Sequence, residues 1–437
     1  MIKIKELKNH AGFIKYFKNT SWLFIENILR LLVGFFVGVW VARYLGPDKY
    51  GIFNYSMAFV SIFSGIANLG LDDIVIRELV KEPKKKDIYL GTAFWLKLIG
   101  AFISIILVTI AVFLLESDKI TRIYILIISF GTIFQSFNVI DFHFRSMVMA
   151  KYVSICKMIQ LIISCCLKIY LIITRADLIW FVSVTLFDAA TLAISLNIAY
   201  RSKNKSSFYS HFDRNIALTM LKNSWPLVLS VIAVGIYMKI DQIMIKNMID
   251  PAAVGQYSAA VKISEIWYFI PMIITSSLFP AIINAKKKSE ELYYARLQKL
   301  YNLMVWLAIS IALPMTFLSD WVIKLIYGSA YSQAGSVLMI HIWAGVFVSL
   351  GVASQQYLIV ENYIKISLFR TFIAAIVNVI LNIILIPKYG INGAAISSVF
   401  SFFLSTFLIG LIPRTSKQAG LMLKSFNLIN IFCNNKG

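Results

Sequence analysis

Residues 21–53 read SWLFIENILRLLVGFFVGVWVARYLGPDKYGIF. The first part, 21–45, is apolar except for Glu26, Asn27, Arg30 and Arg43, and Gly46-Pro47 ends it. A bilayer core of about 30 Å is spanned by about 20 apolar helical residues. This stretch therefore reads as a membrane crossing, a tight turn and the start of a second crossing. Nothing in it alternates with the period of a half-buried strand.

The rest of the chain repeats that design. It has 437 residues, 59% of them hydrophobic, with a mean hydropathy of +0.77. Asp, Glu, Lys and Arg make up 14%, against about 25% in an ordinary soluble domain. Too few polar residues exist to cover soluble domains of this size. The expected fold class is all-α: a polytopic membrane protein with about twelve transmembrane helices. The expected spans are 21–45, 52–71, 89–115, 120–142, 152–174, 178–200, 224–246, 253–284, 298–319, 335–360, 364–386 and 391–413. The span 253–284 is over-long, and Pro271 and Pro280 are expected to kink or break it.

The net charge of +21 would suggest nucleic acid in a soluble protein. Here the basic residues lie between apolar runs, so no nucleic-acid partner is expected. Counted in alternate loops, 28 fall on one side of the membrane and 8 on the other. Cytoplasmic loops are enriched in Lys and Arg, which places both termini in the cytoplasm. The N-terminus (Lys3, Lys5, Lys8, Lys15, Lys18) precedes a run too long for a signal peptide, so that run reads as a retained first helix. Lys84–Lys86 and Lys286–Lys288 are the densest basic runs, and they are expected to fix topology and touch anionic membrane lipid. Cys156, Cys165, Cys166 and Cys433 form neither a disulfide framework nor a zinc pattern, and they read as packing residues.

The stretch that opens the chain has a second copy. Pro47-Asp-Lys-Tyr-Gly51-Ile-Phe53 is matched by Pro251-Ala-Ala-Val-Gly255-Gln-Tyr257, at an offset of 204. The triple-lysine loops recur at an offset of 202. Pro and Gly suit a tight interhelical turn, Gly supplying the φ values other residues avoid. Two matched motifs, each followed by a long helix and a basic loop, indicate a duplicated six-helix unit. Six is even, so both halves enter the membrane in the same direction. Parallel repeats of this kind build transporters with the substrate site between the halves. The expected division is a lobe at 1–200, a cytoplasmic linker at 201–223, a second lobe at 224–413 and a cytoplasmic tail at 414–437.

Charges within the spans are expensive, about 2.5–3.5 kcal/mol each on insertion scales, and so need partners, water or a function. Glu26 and Arg30 lie four apart, and Gly34 and Gly38 continue their stripe. That stripe reads either as an ion pair with a small-residue packing seam or as a cavity wall. Lys157, Gln160, Ser164 and Lys168 share one helix face, two unpaired lysines that packing alone explains poorly. Lys157 can snorkel, and Asp188 is positioned to reach Lys168. Lys239, Asp241 and Gln242 occupy the seventh span, and Lys262 and Glu265 the eighth. Lys97 is close enough to its span end to snorkel. Asp72, Asp73, Arg77, Asp141 and Arg145 are expected as interface pairs at helix ends. Six cations (Arg30, Lys97, Lys157, Lys168, Lys239, Lys262) thus face four anions (Glu26, Asp188, Asp241, Glu265). A cavity with surplus positive charge suits an anionic headgroup such as a diphosphate.

No enzyme signature is present: no Walker A, H-E-x-x-H, G-x-S-x-G or G-x-G-x-x-G. His10, His143, His211 and His341 are scattered, so neither metal nor cofactor is expected. Transport would run on an ion gradient, the membrane potential or the substrate gradient.

Arg43-Tyr-Leu-Gly46-Pro47-Asp-Lys-Tyr50-Gly51-Ile-Phe53, Asn68-Leu-Gly70-Leu-Asp72 and Arg77-Glu78 resemble the opening of polysaccharide exporters. So do Ile240-Asp241-Gln242-Ile-Met-Ile and the stretch from Val254 through Tyr257 and Lys262 to Glu265. The chain resembles, over nearly its whole length, the oligosaccharidyl-lipid flippases, whose superfamily includes the multidrug and toxin extrusion transporters. The likeness is strongest to O-antigen repeat-unit flippases. The resemblance implies two pseudo-symmetric six-helix lobes around a central cavity and alternating access. It implies a bacterial inner-membrane flippase that turns undecaprenyl-diphosphate-linked oligosaccharide from the cytoplasmic to the periplasmic leaflet. Asp241, Gln242, Lys262 and Glu265 match its motif positions, and Arg30 is placed by position. A proton or sodium gradient, a glycan polymerase and a chain-length regulator are candidate partners. A drug or organic-cation antiporter of the same superfamily is the alternative, disfavoured by the surplus of lysine. A membrane glycan polymerase is disfavoured by short periplasmic loops.

Overall fold

The computed structural model describes residues 11–204, 207–361 and 363–427. Lys3, Lys5, Lys8, His10 and Cys433 lie outside the described residues. The regular structure within them is all helical. Among the described residues, eleven helical stretches are long and apolar enough to cross a membrane. The first of them, Asn19–Lys81, has 63 residues and a kink at Gly46, long enough for two crossings. That gives the twelve crossings expected.

In chain order the helices are α1 (11–45), α2 (47–68), α3 (Asp72–Lys81), α4 (Lys86–Leu115), α5 (Lys119–Phe134), α6 (Val139–Ser146), α7 (Ala150–Ile173), α8 (Leu178–Lys203) and α9 (Arg214–Met248). Then come α10 (Pro251–Glu265), α11 (Phe269–Lys288), α12 (Glu290–Tyr327), α13 (Ala334–His341), α14 (Ala344–Val360), α15 (Ile364–Tyr389), α16 (Ile391–Phe407) and α17 (Ser416–Lys424). They form two compact units. The first comprises residues up to 45 and 56–235; the second comprises 46–55 and 236 onward. The units therefore do not divide at 201–223. The start of α2 groups with the second unit, and the first half of α9 with the first.

The repeated motif explains the first of these exchanges. The turn is made at Gly46, with φ 69°, a conformation that glycine adopts at little cost. Gly51 was expected to supply that turn, but it is helical and has another use. A Cβ on Gly51 would overlap the Pro251 carbonyl, and a Cβ on Gly255 would overlap the Pro47 carbonyl. Within the second unit the two copies lie backbone against backbone, each glycine making room for the other's proline. In the second copy Asp250 caps α10, its carboxylate accepting from the Ala253 amide at 2.7 Å, and Pro251 begins the helix.

In the first unit, residues 207–213 of the expected linker pack against α4. Phe208 is fully buried, 5.9 Å from the Phe94 ring, and the Tyr209 ring lies 5.1 Å from Phe94. The Trp95 indole donates to the Tyr209 carbonyl at 2.8 Å. Edge-on aromatic contacts of this kind add about 0.5–1.5 kcal/mol to the area they bury. On the outside, Phe36 and Leu114 are exposed, as is Phe317 in the second unit. Apolar side chains on the outer surface suit a protein whose solvent is hydrocarbon.

In the second unit the over-long span breaks as a 3-10 turn at Ile266–Tyr268, between α10 and α11. Pro271 has no N–H for the Trp267 carbonyl, which interrupts the helical ladder there. Pro280 stays inside α11. The basic loops are tied down. Lys85 pairs with Glu82 at 2.6 Å, Lys86 donates to Asn204 Oδ1 at 2.8 Å, and Lys286 pairs with Glu361 at 2.8 Å.

Candidate functional site

The charged residues of the first unit gather on α1, α6 and α7. Glu26 and Arg30 form the expected i,i+4 ion pair on α1, with Glu26 buried and Arg30 about half exposed (45%). Gly34 has nothing within 4 Å of the place a Cβ would occupy, so the expected packing seam is not formed there. On α6, Asp141 accepts two hydrogen bonds from the Arg145 guanidinium, at 2.7 and 2.8 Å. Lys157 Nζ on α7 lies 3.5 Å from Asp141 Oδ2, the oxygen that also accepts from Arg145 Nη2. Arg30 lies within electrostatic reach of Asp141 and Arg145, and Lys157 within reach of Arg30. Three cations, Arg30, Arg145 and Lys157, thus surround two carboxylates.

Sequence reasoning left Lys157 unpaired and set Asp141 and Arg145 aside as an interface pair. The structure joins them. The i,i+4 spacing of Asp141 and Arg145 was visible; their proximity to Lys157 depends on the α6–α7 turn and was not. Three turns along α7 from Lys157, Lys168 donates to Ser164 Oγ at 2.8 Å. Ser164 in turn donates to Asp188 Oδ2 at 2.8 Å, and the Lys168–Asp188 distance is 3.5 Å. The expected Lys168–Asp188 pair is therefore present, with a hydroxyl bridging it. Lys97 departs from expectation. It does not snorkel: it is 1% exposed, pairs with Asp72 at 3.2 Å and lies 4.9 Å from the Phe142 ring centre.

The second unit is built differently. Asp241 on α9 is 3% exposed. It accepts from the Tyr257 hydroxyl at 2.6 Å, from Asn382 Nδ2 at 2.6 Å and from Ser398 Oγ. Asn382 also donates to Asn378 Oδ1 at 3.2 Å. Asn378 and Asn382 share a face of α15, and Ser398 is on α16. No cation pairs with Asp241 among the described residues. The Asn382 carbonyl oxygen beside it has no donor. Gln242 is also buried. Lys239 pairs with Glu265 at 3.9 Å, so Glu265 is engaged across helices rather than by Lys262, three residues earlier. Lys262 is exposed. Arg370 lies within the expected span 364–386 but was not among the six cations counted in the spans; it is buried in α15.

Charges in the first unit are stored as ion pairs that an incoming anion can exchange. The second unit holds one carboxylate by neutral donors alone, an arrangement whose charge changes if it takes up a proton or a cation.

Family comparison fits this architecture. A family model described as polysaccharide biosynthesis protein matches residues 16–286, and one described as MatE matches 226–384. A probable low-salt glycan biosynthesis flippase of Haloferax volcanii is 26% identical, over 88% of this chain and 81% of that one. A putative O-antigen transporter of Shigella dysenteriae is 24% identical, over 88% of this chain and 96% of its own length. An inward-facing multidrug resistance MATE family transporter superposes with a TM-score of 0.71 at 15% identity, covering 93% of this chain and 99% of that one. That last likeness shows the fold alone.

Proposed function

The chain belongs to the polysaccharide biosynthesis protein family, whose model covers more than half of it, and from that premise we propose that it is a flippase for a lipid-linked oligosaccharide. It is a transporter and not an enzyme. Its substrate is a glycan on a polyprenyl diphosphate, of the undecaprenyl and O-antigen type, moved from the cytoplasmic to the periplasmic leaflet of a bacterial inner membrane. Both termini face the cytoplasm, and the two six-helix lobes alternate access.

The observation that carries this reading is the cluster of Arg30, Arg145 and Lys157 about Glu26 and Asp141. Charge-assisted hydrogen bonds from Arg and Lys to phosphate oxygens are about twice as strong as neutral ones. Before substrate arrives, the carboxylates keep these cations compensated; a bare buried charge would cost several kcal/mol. A diphosphate brings more negative charge than either carboxylate and takes over the cations. Lys168 is a further phosphate contact of the first unit, and Lys239, Gln242, Lys262 and Glu265 are the substrate residues of the second.

Asp241 is the coupling group. Among the described residues no cation pairs with its carboxylate, so binding a proton or a sodium ion neutralises it. An ion gradient then drives the cycle, and a glycan polymerase with its chain-length regulator receives the product.

The test is complementation. Arg30→Gln and Lys157→Gln are expressed in a host lacking its own flippase, with membrane abundance matched. Surface glycan is expected to fall at least tenfold in each. Normal surface glycan in both variants would overturn the assignment.

A further inference from the structure

Among the described residues Arg370 is a cation without an anion. It lies on α15 within a stretch apolar enough to cross a membrane, and its side chain is 6% exposed. Nη1 donates to Ser354 Oγ at 2.8 Å, and Nη2 donates to Gln355 Oε1 at 3.0 Å and reaches the Gly351 carbonyl at 3.5 Å. All three partners are neutral groups of α14. Among the described residues no carboxylate pairs with this guanidinium. Its Nε–H has no acceptor.

Two phenols lie within electrostatic reach of it, Tyr237 of α9 and Tyr301 of α12. Both are buried; the Tyr301 hydroxyl has no hydrogen-bond partner, and the Tyr237 hydroxyl has only Ser405 within reach. The Arg370 Nε–H and the Tyr301 hydroxyl therefore lack acceptors beside a cation with no counter-charge among the described residues. Buried donors left unmade are costly, and so is a buried charge without a counter-charge. An acceptor-rich anion removes both costs at once. The edge of a guanidinium formed by Nε–H and an Nη–H is the one that grips an oxyanion with two parallel bonds.

We infer that Arg370, Tyr237 and Tyr301 form a binding site for one oxyanion of the phosphate class inside the second unit. Its residues are distinct from the charged cluster of the first unit, and the inference holds whether or not that cluster takes a diphosphate. The anion is either free inorganic phosphate or the headgroup of an anionic phospholipid. Its binding cross-links α9, α12, α14 and α15 and stiffens the unit.

The full-length protein is purified in neutral detergent in gluconate buffer, and its melting temperature is followed by tryptophan fluorescence. One arm titrates inorganic phosphate at constant ionic strength; the other titrates short-chain phosphatidylglycerol. A saturable rise of several degrees in the first arm identifies free phosphate, and a rise in the second alone identifies a lipid headgroup. Either rise is expected to vanish in Arg370→Gln. In the double variant Tyr237→Phe, Tyr301→Phe, which keeps the shape of the core, the half-saturating concentration should increase at least tenfold. If Arg370→Gln does not fold, the double variant still reads the site. No rise in the wild type in either arm overturns the inference and leaves Arg370 as a staple between α14 and α15. A rise that survives unchanged in the double variant also overturns it.

Discussion

The two units bury charge in opposite ways. In the first, Glu26, Arg30, Asp141, Arg145 and Lys157 are held as ion pairs, with Arg30 and Arg145 each about half exposed. In the second, Asp241 is sealed among Tyr257, Asn382 and Ser398. In these pairs the guanidinium reaches the surface and can change partner, while the carboxylate is buried and costs several kcal/mol if left alone. A sealed carboxylate is part of the core, and its neighbours are left with idle donors when it is removed. The difference separates two tasks. We propose that the cations of the first unit turn from their carboxylates to an anionic ligand, whereas Asp241 in the second registers a change of charge through its packing.

Asp241→Ala is the sharpest way to break this comparison. It strands the Tyr257, Ser398 and Asn382 donors, at roughly 1–3 kcal/mol for each group left unsatisfied. A large fall in melting temperature is expected, read by tryptophan fluorescence in detergent. Asp241→Asn keeps hydrogen-bonding capacity, so it should fold but no longer respond to an imposed gradient. An Ala variant as stable as wild type would place Asp241 outside the core network.

In the first unit the larger effect is on transport. Combining Arg30→Gln with Lys157→Gln leaves the buried Glu26 carboxylate without its cation, at up to several kcal/mol of stability, and at matched folded abundance should reduce transport at least tenfold. Transport equal to wild type would remove the anion-exchange role. Lys168→Met should have an intermediate effect. It leaves Asp188 with only the Ser164 hydroxyl, at roughly 1 kcal/mol of stability and a severalfold loss of transport. Lys262→Ala should do least, because the side chain is exposed. Its stability should stay within about 0.5 kcal/mol of wild type, with transport reduced two- to threefold.

What could be read from sequence follows the range of the interactions. Hydropathy fixed the spans, because each crossing is local and its length is set by the bilayer. The Glu26–Arg30 pair was legible because one helix face carries both. Lys168–Asp188 was legible because the short α7–α8 turn makes those helices neighbours. Asp241 was flagged for its position, but its partners are 141 and 157 residues away, a separation no local pattern encodes. Lys97 was misjudged because hydropathy gives depth along a helix and not which face is turned inward; Asp72, on α3, sits where the lysine needs it. Arg370 was missed because it stands near a helix start, where a basic residue ordinarily marks a loop. The Pro-x-x-x-Gly motif was recognised as a repeat but assigned the wrong task. Close approach of two backbones at Gly51 and Gly255 becomes visible only when the copies are seen together.

The central claim is that cations of the first unit exchange carboxylates for a diphosphate. Proteoliposomes loaded with a fluorescent lipid-linked oligosaccharide test it directly. Flipping is followed by loss of fluorescence to an impermeant quencher, for wild type and for Arg30→Gln with Lys157→Gln at equal reconstitution. The account predicts flipping by the wild type, inhibition by a water-soluble diphosphate analogue, and at least a tenfold slower rate in the variant. A variant that flips at the wild-type rate with the same sensitivity to the analogue would contradict it.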